Sequence, residues 1–372
     1  MRVLHIIVGL NMGGAESSLF RLITHDSANT HLVVSLGDFG HFGRRLQATG
    51  VEVVCLGASP RRLPLGALRE LQRVWHRFRP DVLQTWMYHS DLLGGLFAKL
   101  HGHDAVLWGV RRSTLDPRVD TRRTIWIART CARLSHWAPR LIVSCGTRAT
   151  EAHVSLGYNE SRMRTIPNGY DLDQYVPDPV RRRRTRAALN LPDDSFLIGM
   201  VARYAAVKNH KGLLRALATL RERRGDFRAV LIGRGNDAAN KELLADIRRF
   251  GLEAQIILLG ERSDIPDLLQ GFDLNVLSST SEGFPNALCE AMATSVPCVT
   301  TNVGDSAEIV GSTGWVVPPK DDMALARAIE TALDSCRDPS RRACARQRVV
   351  DRYSIAAMVQ RYEAVWTEAR DG

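Results

Sequence analysis

Short apolar, β-branched runs alternate with amphipathic stretches along this chain, and after a polar interval the whole pattern starts again. VLHIIVGL, THLVVSLG, VEVVCLG, PDVLQTW, AVLWGV and RLIVSCG read as strands in the first half. Between them lie helical stretches such as ESSLFRLITH and LGALRELQRVWHRF. Runs without polar alternation are buried on both faces, and strands that alternate with helices imply a parallel sheet covered by helices. SFLIGMVARY, FRAVLIGRG, QIILLGE, FDLNVLSS and VPCVTTNVG repeat the scheme after residue 193. A chain of 372 residues exceeds one ordinary core. The expected organisation is an α/β domain over 1–176, a linker over 177–193, a second over 194–353 and a terminal helix, 354–372. That helix could reach back onto the first domain.

Charge narrows the partners. The net charge is +10, and residues 1–175 hold 22 Lys/Arg against 14 Asp/Glu. The basic excess in the first half points to an acidic partner there, nucleic acid or an anionic membrane surface. No zinc knuckle, RNP aromatic pair or helix-turn-helix pattern supports nucleic acid, so none is expected. Helix 65–79 sets Leu68, Leu71, Trp75 and Phe78 on one side and Arg69, Arg73 and Arg77 on another. That pattern suits a membrane-surface helix and equally a helix packed on a core. Arg181 to Arg184 read as a solvated linker face rather than an anion site. The seven cysteines show no metal spacing and read as reduced thiols in a cytoplasmic protein. The apolar run before Asn11 is too short for a signal peptide or a membrane span and fits a first strand.

In open α/β sheets, ligands bind where strands end. Strand 3–10 runs into NMGGAES, where Gly13 and Gly14 permit close approach to a helix N-terminus, although such a pair also makes ordinary tight turns. No third glycine completes a dinucleotide fingerprint. Arg203 and Lys208 bracket the strand-to-helix loop after 196–202, as a diphosphate clamp would, or as two solvated bases. Strand 273–279 feeds SEGFPNALCEAM, with Pro285 suited to a first helical turn and Glu282 and Glu290 eight positions apart. A carboxylate within the apolar helix needs a donor of its own, and vicinal sugar hydroxyls would serve.

GGAES, VARYAAVKNH and EGFPNALCE together, with PNGYDLDQY at 167–175, resemble the retaining, metal-independent glycosyltransferases of the GT-B fold. The resemblance is closest to glycosyltransferase family 4, whose signature is E-x7-E, and it covers essentially the whole chain. It implies two doubly wound Rossmann-like domains facing across a cleft, acceptor on the first and nucleotide-sugar donor on the second. It places Arg203 and Lys208 on the donor diphosphate, with Gly14 offering an N–H from the opposing domain. Glu282 would meet the transferred sugar and Glu290 the ribose. Gly283, Phe284, Pro285, Asn286, Ala287 and Leu288 would surround phosphate and sugar, and Gly233 and Arg262 would frame the base. It also implies that no metal or other cofactor is needed.

On the acceptor side, relatives carry a histidine in the loop that here reads TWMYHSD, with Trp86 at its usual place. His89 is expected to take over that role or to serve the acceptor. Asn11, Arg111 and Arg112 lie at neighbouring strand ends. Asp171 and Asp173 form a D-x-D expected to do turn duty, and His101 and His103 fit a surface loop. The resulting expectation is transfer of a sugar to a lipid-linked glycan in bacterial surface polysaccharide synthesis, on the cytoplasmic membrane face. The alternatives are a sugar-nucleotide epimerase or hydrolase on the same scaffold, or a basic binding protein without catalysis.

Overall fold

The computed structural model describes residues 1–372 apart from 59–63, 114, 116–120, 193–194 and the side chain of Leu65. It divides into two compact units, Met1–Gly169 with Ile355–Gly372, and Tyr170–Ser354. The first unit holds β1 (Arg2–Ile7), β2 (Thr30–Ser35), β3 (Glu52–Cys55), β4 (Val82–Trp86), β5 (Val106–Val110), β6 (Leu141–Ser144) and β7 (Met163–Thr165). All seven pair in parallel, in the order β3-β2-β1-β4-β5-β6-β7. Every residue of β4 and β5 is buried, as a strand covered on both faces requires. One apolar layer includes Leu71, Trp75, Phe97 and Trp108, and the opposite layer includes Leu19, Phe42 and Trp86. Met358, Tyr362 and Trp366 of the helix Ile355–Asp371 complete that second layer.

The second unit carries β8 (Phe196–Val201), β9 (Phe227–Ile232), β10 (Ile256–Gly260), β11 (Leu274–Leu277), β12 (Cys298–Thr301) and β13 (Trp315–Val317). They too pair in parallel, in the order β10-β9-β8-β11-β12-β13. Each sheet therefore reverses its winding once, between β1 and β4 and between β8 and β11. The crevice at such a reversal is where doubly wound sheets bind ligands. The short strands β7 and β13 are not among the runs expected from the sequence.

The arginine-rich segment expected as a solvated linker is instead the helix Pro179–Ala188, capped by Asp178. It belongs to the second unit, and two of its arginines point inward. Arg182 Nη2 donates to Asp273 Oδ1 at 2.6 Å and Arg186 Nη1 to Asp273 Oδ2 at 3.2 Å. Arg337 Nε and the backbone N–H of Leu197 complete the set at 3.1 and 2.9 Å. Asp273 is fully buried. Burial alone would raise its pKa, yet the Arg337 hydrogen bond and the charges of Arg182 and Arg337 hold it below the ordinary carboxylate range. The correction has a plain cause: a buried aspartate at the start of β11 needs cations, and this run supplies them.

Removing one partner of a buried ion pair strands the others, at a cost of about 3–5 kcal/mol. Asp273→Asn is expected to lose stability on that scale at neutral pH, read as a lower urea midpoint. Because the folded-state pKa is depressed, that contribution is present above the unfolded value and fades as pH falls below about 4. Variant and parent are thus expected to converge in acid, and a gap that persists there would overturn the assignment.

Candidate active site

The loops that follow β8 and β11 are stitched together. Ser278 Oγ donates to the carbonyls of Lys208 and Asn209 at 3.0 and 3.2 Å, and the Thr280 N–H donates to Val207 O at 2.7 Å. This stitching brings Lys208 to Glu282, with Nζ 2.5 Å from Oε1. Ser279 Oγ donates to the same oxygen at 2.6 Å. Both side chains are largely sheltered, at 21% and 10% exposure. Arg203 stands exposed at the start of the β8 loop. Gly283 and Phe284 lead into the helix Asn286–Ala293, with Pro285 in the cap position bringing no side-chain cap. Phe284 packs edge-on against Tyr353 at 5.7 Å, and Asn286 accepts from Tyr170 Oη at 2.6 Å. Ala287 and Glu290 are half-buried on this helix, and Leu288 is core.

Two glycines hold these loops at close quarters. Gly233, at φ +133°, lies so near the end of β8 that a Cβ would sit 2.5 Å from Ala202 O. Gly304, at φ +51° in the loop after β12, would place a Cβ 2.6 Å from Glu282 O. Neither position tolerates a side chain without moving the neighbouring loop. Arg262, expected to frame the base, makes a bidentate pair with Asp264 at the surface, at 2.8 and 2.6 Å.

In the first unit, Gly13 and Gly14 open the helix Gly14–His25 after β1. Gly13 is extended, at φ −166°, and the Glu16 carboxylate folds back beside it at the helix N-terminus. Burial raises the Glu16 pKa, and its own backbone hydrogen bond opposes that rise. Asn11 is exposed and donates to Asp38 at 3.3 Å. His89 is half-buried, its pKa lowered by burial and by the nearby charge of Arg123. Asp91, two residues on, turns into the core, accepts from Thr85 Oγ1 at 2.6 Å and is raised to about 7 by burial. Asp171 accepts backbone N–H groups of Asp173 and Gln174, the turn duty expected of the D-x-D.

Trp86 and Arg111 correct the acceptor-side reading. Trp86 is fully buried, so its side chain can touch no acceptor. Its indole N–H donates to His5 Nδ1 at 3.2 Å, His5 Nε2 meets His31 Nδ1 at 3.0 Å, and His31 Nε2 meets Asp26 Oδ2 at 3.1 Å. An indole only donates, so His5 Nδ1 must accept, and every later proton is assigned in turn toward Asp26. Burial lowers the His5 pKa and keeps it neutral. Arg111 lies over the Trp86 ring at 4.5 Å and donates to Asn168 at 2.7 Å and to Tyr362. Those bonds tie the first unit together. Arg112 is half-buried beside it.

Residues 12–174 match the model of Glycosyltransferase Family 4, and residues 181–348 match that of Glycosyl transferases group 1. The chain belongs to the family 4 glycosyltransferases. Among similar proteins, the UDP-Gal:alpha-D-GlcNAc-diphosphoundecaprenol alpha-1,3-galactosyltransferase of Escherichia coli is 24% identical over 320 residues, 81% of this chain and 79% of that one. The lipopolysaccharide core biosynthesis mannosyltransferase LpsB of Rhizobium meliloti is 26% identical, over 77% and 80% of the two chains. The crystal structure of Anabaena HepE in complex with UDP superposes with a TM-score of 0.87 at 22% identity, covering 99% of this glycosyltransferase and 100% of HepE. The fold is GT-B.

Several residues of the site were not singled out in the sequence. Ser278, Ser279 and Thr280 place the lysine–glutamate pair, and a run of hydroxyls where a strand ends was their only signal. His210, 3% exposed, packs its ring 5.1 Å from Tyr204 behind Lys208. Burial and then the Lys208 charge push its pKa down to about 4, so it adds no charge there. Gly304→Ala is expected to shift Glu282 and lower turnover by about a hundredfold while leaving the fold intact, since small misplacements of reacting groups cost that much. Steady-state kinetics beside a thermal melt would check it; unchanged turnover would show that the brace does not matter.

Proposed function

We propose that this glycosyltransferase moves a sugar from a nucleoside-diphosphate donor, a UDP- or GDP-sugar, to a lipid-linked glycan in bacterial surface polysaccharide synthesis. Transfer retains the anomeric configuration and uses no metal. The observation that carries the reading is the Lys208–Glu282 pair, held at the reversal point of the second sheet beside a helix N-terminus. Cleaving the bond from anomeric carbon to diphosphate leaves negative charge on phosphate. Arg203, Lys208 and the N-terminal dipole of Asn286–Ala293 stabilise that charge where it develops, which is the work a divalent cation would otherwise do.

A lysine ammonium has three donors, and Glu282 takes one. An arriving diphosphate oxygen takes another, and Glu282 keeps acceptor capacity for a sugar hydroxyl. Glu290, further along the same helix, accepts the ribose hydroxyls. The acceptor hydroxyl attacks from the leaving-group face, and a phosphate oxygen receives its proton. His89 and Asn11, at the carboxyl ends of β4 and β1, bind on the acceptor side.

The activities of the relatives support the substrate class. The E. coli enzyme uses UDP-Gal and a diphosphoundecaprenol-linked sugar, LpsB is a mannosyltransferase, and HepE has also been solved with UDP-glucose. Among the described residues, no helix is long and apolar enough to cross a membrane. A lipid-linked acceptor is then met at a membrane surface on the cytoplasmic side.

Thermal melts with UDP, GDP and ADP and their sugars, in EDTA, test the donor. A nucleotide at about 100 times its Kd is expected to add roughly 2.7 kcal/mol. Lys208→Ala is expected to remove that shift and to cut kcat by about 10²–10³. The reading fails if no nucleotide shifts the melt, if the variant turns over normally, or if the products are free sugar or epimerised donor. An inverted anomeric configuration in the product, read by NMR, would overturn retention.

A further inference from the structure

The helix Arg122–Leu134 of the first unit contains no acidic residue. Its inner side, Ile127, Ala128, Cys131 and Ala132, is core. Its outer side presents Arg122, Trp126, Arg129 and Arg133 at helical spacing, and Trp137 follows in the next turn along the same line. Trp126 and Trp137 are 63% and 55% exposed, and among the described residues no other tryptophan is exposed. Arg122, Arg129 and Arg133 make no ion pair among the described residues. The helix Leu65–Phe78, the expected membrane candidate, differs: Arg73 pairs with Glu70 at 2.7 Å and Arg77 with Glu52.

We propose that the Arg122–Trp126–Arg129–Arg133–Trp137 stripe is the face on which this glycosyltransferase docks to an anionic bilayer surface. Indole rings settle at headgroup level, where an apolar body and an N–H are both satisfied, and guanidinium groups meet lipid phosphates. Two exposed indoles along one face, one on the helix and one in the turn that follows it, suit a flat surface. Single-stranded nucleic acid, which also takes arginine and aromatic rings, is held in grooves that follow its backbone. The stripe starts beside the acceptor side, since the charge of Arg123 reaches His89. The proposal deepens the lipid-linked acceptor reading and rests on it for its purpose.

Co-sedimentation with phosphatidylcholine vesicles, with and without phosphatidylglycerol, tests it on the whole chain in the absence of substrate. Binding is expected only with the anionic lipid and is expected to weaken as salt rises. Each arginine near the surface contributes about fivefold, so the Arg122→Glu, Arg129→Glu, Arg133→Glu triple variant is expected to lose more than about a hundredfold. The corresponding triple lysine variant is expected to keep binding. Brominated lipid is expected to quench tryptophan fluorescence in the parent and much less in Trp126→Phe, Trp137→Phe. Equal binding to neutral vesicles, or unaltered binding by the charge-reversed variant, would overturn the proposal. So would a single-stranded oligonucleotide that displaces the vesicles through the same arginines. The nucleotide-induced melting shift needs no lipid, so the donor reading and this one can fail separately.

Discussion

Every strand pair in both sheets is parallel, and much else in the molecule follows from that. A parallel strand must be re-entered from the same end, so each connection crosses a face of the sheet and covers it. All strand ends of one polarity then emerge along one edge. Along that edge, at the place where winding reverses, the loops after β8 and β11 are neighbours although more than seventy residues separate Lys208 from Glu282. Backbone and hydroxyl hydrogen bonds between the loops lock that proximity. The chemistry of the site is thus a by-product of the way a parallel sheet is connected.

In an arginine-rich chain the difficulty lies in separating the cations that build from those that act. Arg182, Arg186 and Arg337 surround one buried aspartate and would be hard to remove. Arg262 pairs with Asp264 at the surface, and Arg111 bonds Asn168 and Tyr362. Arg203, by contrast, is left to solvent at a strand end, and Lys208 shares its charge with the Glu282 carboxylate.

The two-sheet architecture and most strands were legible because their signal is local: apolar runs of strand length separated by helical periodicity. β7 and β13, three residues each, are too short to leave one. The motifs at 203–208 and 282–290 were legible because strand ends and a proline mark where backbone turns. Burial depends on long-range packing, so the sequence misplaced Trp86, expected at an acceptor site and found in the core. Within the run 181–184 it misread Arg182 for the same reason, since its partner Asp273 lies some ninety residues away. The hydroxyls of Ser278, Ser279 and Thr280 matter only through carbonyls and a carboxylate that the fold brings to them.

The hydrogen-bond chain from Trp86 through His5 and His31 to Asp26 runs in one direction only. Its starting member has a proton to give and no lone pair to receive one. His5 cannot take up a proton at Nδ1 without first breaking the indole's bond, and burial opposes the charge in any case. His5, at the centre of the first sheet, is therefore insulated from the acidity outside.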